Sequence, residues 1–68
     1  MSEILDNEGD LSTFLEAQEK LRTQKLEIVI PERLLEESPY ISKKYGYSII
    51  DGEDLPNGYI KLTLVYRR

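Results

Sequence analysis

The chain contains no cysteine and no histidine. Disulfides, thiolate zinc sites and imidazole metal ligands are therefore excluded, and so is every mechanism that uses Cys or His as nucleophile or general base. Tryptophan is absent, methionine occurs once, and glycine is present four times. The glycines at 9, 46, 52 and 58 are scattered, and no glycine-rich phosphate loop can be built from them. No apolar run exceeds a few residues, so no segment reads as a membrane span. The opening "MSEILDNEGD" has neither a basic n-region nor an apolar h-region, and does not read as a signal peptide. These absences lead to the expectation of a cytoplasmic protein without membrane attachment, metal or cofactor.

With 68 residues, the chain is expected to form one small domain. A domain of this size buries only about 60% of the surface its unfolded chain exposes, so its stability is expected to be modest. Hydrophobic residues make up 40% and charged residues 32%, a composition that suits a globular fold. The formal charge of −4 is unevenly distributed. Glu3, Asp6, Glu8, Asp10, Glu16 and Glu19 carry the first part of the chain, where no base occurs before Lys20. The remainder is mildly basic, and such an asymmetry can serve an electrostatic contact.

Residues 1–9 read as an acidic, flexible tail whose deletion costs little stability, and residues 10–68 as the domain. A helix over 11–23 is predicted, capped by Asp10 or Ser12 and with Leu11, Phe14, Leu15 and Leu21 on one face. "KLEIVI" alternates as a strand, 25–30, with Leu26, Ile28 and Ile30 on one side. Pro31 opens a short helical stretch with Leu34 and Leu35 inward. Ser38-Pro39 starts a second short helix, and Gly46 stops it through a left-handed cap. "YSII", 47–50, is a strand, "DGEDLPNG", 51–58, a turn-rich loop, and "YIKLTLVYR", 59–67, the clearest strand of the chain. The longest strand belongs in the centre, with 25–30 on one side and 47–50 on the other. The fold class is thus α+β in the order α-β-α-α-β-β, a three-stranded antiparallel sheet with its helices mainly on one face.

That order resembles a winged-helix domain, with 39–45 in the place of a recognition helix and 51–58 in the place of the wing. The resemblance covers residues 10–67, concerns order alone, and implies nucleic-acid binding. "KLEIVIPERLLEE" also resembles the opening of a ribbon-helix-helix repressor, but Ser38-Pro39 breaks its helix and a hairpin replaces its second one.

The chemistry-bearing residues form no constellation of nucleophile, base and orienter, so no enzyme activity is expected. Asp51, Glu53 and Asp54 lie close in sequence but lack calcium-loop spacing. "SPYISKKYGYS", 38–48, raises a sharper question. Tyr40, Lys43 and Lys44, with Arg67 and Arg68 at the chain's end, combine aromatic and cationic groups that can contact nucleic acid or an acidic protein. The competing reading packs Ile41 and Tyr45 inward and leaves the lysines in water. An acidic wing and a net negative chain oppose nucleic acid.

The sheet face away from the helices carries Val29, Ile50, Tyr59 and Val65, with Glu27 expected to pair with Lys61. An apolar open face is a candidate for protein binding or self-association. The resulting expectation is a non-enzymatic small binding protein, a regulator or accessory subunit acting through a protein–protein surface; the alternative is a winged-helix-like nucleic-acid binder.

Overall fold

The computed structural model describes residues 3–67. Eight elements follow one another: β1 (Glu3–Ile4), α1 (Glu8–Leu21), β2 (Lys25–Pro31), a 3-10 turn (Glu32–Leu34), α2 (Ser38–Lys44), β3 (Tyr47–Leu55), a second 3-10 turn (Pro56–Gly58) and β4 (Tyr59–Tyr66). The sheet order is β1-β2-β4-β3, parallel between β1 and β2 and antiparallel elsewhere. The fold is a small α+β unit, and β4 lies between β2 and β3 as the sequence predicts. The sheet has four strands and mixed direction rather than three antiparallel ones. The order differs at two points: a strand precedes α1, and the stretch after Pro31 makes a single 3-10 turn instead of a helix. Among the described residues no helix is long and apolar enough to cross a membrane.

Antiparallel register assigns every strand side chain to one of two faces, because directly opposed residues point the same way. On the inner face the cross-strand rows are Leu26–Leu64–Ile49 and Ile28–Leu62–Gly52, followed by Ile30–Ile60–Asp54. Leu11 and Leu15 of α1 are fully buried and join Leu26, Ile28, Ile30, Ile60, Leu62 and Leu64 in one apolar core. Tyr47 is also buried, meets Tyr66 edge-on at 5.3 Å between ring centroids, and donates its hydroxyl to the Thr23 carbonyl at 2.7 Å. That hydrogen bond ties the start of β3 to the link between α1 and β2.

Residues 3–9 of the stretch expected to be a tail hold β1 and the start of α1, and Leu5 joins the core. Glu3 and Ile4 pair in register with Ile28 and Val29, and the Leu5 amide donates to the Val29 carbonyl at 2.8 Å. Leu5 is only 5% exposed. Helix α1 starts three residues earlier than predicted because Asn7, not Asp10, caps it: Asn7 Oδ1 accepts from the Asp10 amide at 2.8 Å. Gly9 therefore lies inside the first helical turn. Met1 and Ser2 fall outside the described residues. At the other end Leu21 is 73% exposed, because at 3.6 residues per turn it lies about 120° round the helix from Leu15.

In the central segment Leu34 is buried as predicted, but Leu35 is 40% exposed. Glu37 rather than Ser38 stands at the cap of α2; Ser38 is inside the helix, and its hydroxyl donates back to the Leu35 carbonyl at 2.9 Å. Gly46 ends this segment at φ 85°, the left-handed conformation expected of it.

The largest correction concerns 51–58. Strand β3 runs on to Leu55, and only Pro56–Gly58 turn the chain. Asn57 and Gly58 adopt φ 66° and 77°, which Asn and Gly tolerate better than other residues. Acids and glycine give 51–54 the composition of a loop, yet pairing with the β-formers of β4 overrides that local preference.

Burial of Leu5 yields a test. Leu5→Ala is expected to cost about 2–5 kcal/mol, the usual range for truncating a core leucine. For a domain of this length that is a large share of the total stability. Urea unfolding followed by circular dichroism measures it, and a cost below about 0.5 kcal/mol, typical of a surface change, would show that β1 does not dock.

Candidate binding surfaces

The helix-free face of the sheet can be read from the same register. Its rows are Lys25–Val65–Ser48, Glu27–Thr63–Asp51, Val29–Lys61–Glu53 and Pro31–Tyr59–Leu55. The face is polar across its middle and apolar toward one end. Lys61 Nζ meets Glu53 Oε1, directly opposite on β3, at 3.3 Å. Glu27, the partner expected from sequence, instead stands opposite Thr63.

The four residues expected on this face do not form one patch. Val65 lies at the far end, in the row with Lys25 and Ser48. A bulge between Ile49 and Asp51 leaves Ile50 without a partner in the register, and its side chain is 48% exposed. The extra residue carries Asp51 onto the helix-free face opposite Thr63, where simple alternation from Ile49 would have turned it inward. Val29 and Tyr59 do come together, with Ile4, Leu55, Pro56 and Asn57, around a concavity of about 450 Å³. Val29 is only 9% exposed, whereas Ile4 is 62% exposed.

Tyr59, opposite Pro31 in the register, ties this end of the sheet together. Its hydroxyl donates to Asp6 Oδ1 at 3.1 Å, although β4 and the end of β1 are separated by β2. Strands lie about 4.8 Å apart, so the ring must extend across β2 to reach Asp6. The Arg33 guanidinium donates to the Asp6 carbonyl oxygen. Asp6 thus joins its own stretch of chain to those of Arg33 and Tyr59. The hydrogen bond to Asp6 and the carboxylate's negative charge raise the Tyr59 pKa above its ordinary value of 10.0, because ionisation would destroy the donor and oppose two negative charges.

The acids of the hairpin do not converge. Strand alternation sends Asp51 and Glu53 to one face and Asp54 to the other, and among the described residues no three acidic side chains are grouped to hold a metal ion.

The tyrosine-lysine stretch is divided by the fold. Tyr47 is core, Ile41 and Tyr45 pack half-buried against it, and Tyr40 is 77% exposed. Lys43 and Lys44 are both exposed on the last turn of α2. Lys43 lines a second concavity, about 620 Å³, between α2 and β3, together with Leu35, Pro39, Gly46, Ile49 and Arg67. Arg67 reaches it because its amide donates to the Gly46 carbonyl at 2.8 Å, extending the β3–β4 ladder by one step. Tyr40 and Lys44 are not among its lining residues, and Arg68 falls outside the described residues.

Sequence reasoning missed Ile4, Leu55 and Pro56 on one surface and Leu35 and Pro39 on the other. Ile4-Leu5, an apolar pair inside an acidic stretch, was a usable signal. Leu55 was not, because its neighbours have the composition of a turn. No protein-family model matches the chain, and no curated protein matches it.

The raised Tyr59 pKa gives a pH prediction. Folding favours the protonated phenol, so its contribution is complete below pH 10 and is lost as pH rises through the raised folded value. Tyr47 acts in the same direction, chiefly through burial and then through the charges of Tyr66 and Glu19. Tyr59→Phe is expected to flatten, without abolishing, the loss of stability above pH 10. Urea unfolding of both proteins across the alkaline range measures it; identical slopes would show that the Tyr59–Asp6 bond does not form in solution.

Proposed function

We propose that this chain is a small non-enzymatic binding protein, a regulator or accessory subunit in the cytoplasm, that contacts a protein partner or a second copy of itself through the helix-free face of its sheet. The observation that carries this reading is the apolar end of that face. Ile4 is exposed there beside Leu55, Pro56 and Tyr59, around a concavity of about 450 Å³. Contiguous exposed apolar surface of this kind often marks a contact with another macromolecule. The ion-paired middle of the face supplies the polar surround that protein interfaces commonly have. Val65 and Ile50, at the far end and at the bulge, belong to the periphery of such a contact, with Val29 and Tyr59 beneath and beside its centre.

A winged-helix-like nucleic-acid binder is the second reading. It is favoured by the exposure of Tyr40, Lys43 and Lys44 on α2 and by the approach of Arg67 to Lys43. Against it stand the seven-residue length of α2 and the exposed acids Asp51, Glu53 and Asp54 on the hairpin in the wing's place, which repel a phosphate backbone.

Ile4→Lys is expected to weaken association by roughly tenfold or more, as a charge placed at the centre of an apolar contact does, with an unchanged circular dichroism spectrum. Sedimentation velocity reads self-association, and affinity capture from lysate with and without nuclease reads a heterologous partner. Undiminished association of the Ile4→Lys protein, or capture lost on nuclease treatment, would overturn the reading.

A further inference from the structure

The concavity between α2 and β3 has a chemistry unlike the rest of the molecule. The protein is acidic overall, yet two cations and no acid line this site. Lys43 and Arg67 are exposed, and neither has an ion-pair or side-chain hydrogen-bond partner among the described residues. The remaining lining is largely apolar and includes Leu35, Pro39 and Ile49.

The main-chain positions of both residues are fixed by backbone hydrogen bonds. Lys43 lies in the last turn of α2, and its carbonyl accepts from the Gly46 amide at 3.1 Å. Gly46 in turn accepts from the Arg67 amide. The chain thus links the two positions through one residue at the mouth of the cavity. Beyond it, β3 is an edge strand: β4 occupies one side, and among the described residues no strand pairs with the other.

We propose that this groove binds a peptide segment of a protein partner in which a carboxylate side chain stands beside an apolar one. The carboxylate meets Lys43 and Arg67, and the apolar side chain enters the lining formed by Leu35, Pro39 and Ile49. Charge complementarity selects the occupant: an uncompensated cation pair favours an anion. The concave shape and apolar lining suit a side chain rather than the outside of a duplex, and the acids of the neighbouring hairpin disfavour a polyphosphate chain. This inference rests on the reading of the protein as a protein binder but places the partner's acidic segment on a different surface from the helix-free face.

The probe is a blocked Asp-Leu-Glu-Phe peptide, compared with Asn-Leu-Gln-Phe and with a short DNA duplex, titrated into the labelled full chain and followed by amide NMR shifts. Saturable shifts at Gly46, Ser48 and Ile49 with the acidic peptide are expected, weakened by salt. They should be reduced roughly tenfold in Lys43→Glu/Arg67→Glu, with the dispersion of the remaining spectrum unchanged. Ile4→Lys, which tests the helix-free face, should bind the peptide normally, so failure at one surface is distinguishable from failure at the other. Should the double variant lose its fold, Arg67→Gln alone gives the same comparison with a smaller reduction. Equal shifts with the amide peptide, no saturable shifts, or shifts at this site with the duplex alone would each overturn the proposal.

Discussion

Pairing of β4 on both of its edges is the constraint on which the rest of the structure depends. A 68-residue chain has little apolar material to spare, and most of it lies in strands. Ile60, Leu62 and Leu64 become a core only because β2 brings Ile30, Ile28 and Leu26 opposite them and α1 covers the rows with Leu11 and Leu15. The same pairing satisfies the backbone of β3 as far as Leu55, in a segment whose own composition favours a turn. A slip of one residue at β4 would exchange its leucines with Lys61 and Thr63 and move the core to the wrong face.

The helices occupy one side of this sheet, so the other side had to be made compatible with water by different means. Its middle rows carry Glu27, Asp51 and the Lys61–Glu53 pair. Such exposed pairs contribute little to stability, of order 0–1 kcal/mol, and their main effect here is to interrupt the apolar surface. At one end the interruption stops. There the Tyr59 ring crosses β2 to reach Asp6, the N-terminal segment is drawn against the sheet, and Ile4 is left outward. Backbone pairing with β2 docks the N-terminal strand, and the Tyr59–Asp6 bond adds a side-chain tie at the surface on which the proposed function rests.

The two proposed surfaces lie on opposite sides of the sheet and differ in chemistry. The first is apolar with a polar surround, and the second is an apolar groove with a cationic mouth. An acidic protein with a locally basic groove can attract an anionic segment at short range while its net charge disfavours the nucleic-acid backbone at long range. A binding protein with two such faces can hold two partners at once or one partner in two places.

Strand periodicity made much of this architecture legible. The alternation over 25–30 and 59–67 identified both strands, their inner faces and the central position of β4, because a period of two in buried positions is a local property of the chain. The Gly46 stop and the inward placing of Leu11, Leu15, Leu34 and Tyr45 were legible for similar reasons. What required tertiary structure was whatever a residue does only through a distant partner. Leu5 is buried because β2 offers a parallel edge, Asp51–Leu55 are strand because β4 offers its other edge, and the Ile50 bulge resets which acids face which side. Lys43 and Arg67 are distant in sequence, and two backbone hydrogen bonds at Gly46 link them at one groove. Local sequence pattern determined β2 and β4 and their inner faces; the contacts across the sheet added β1 and the second half of β3 and decided which side chains remained outside and in whose company.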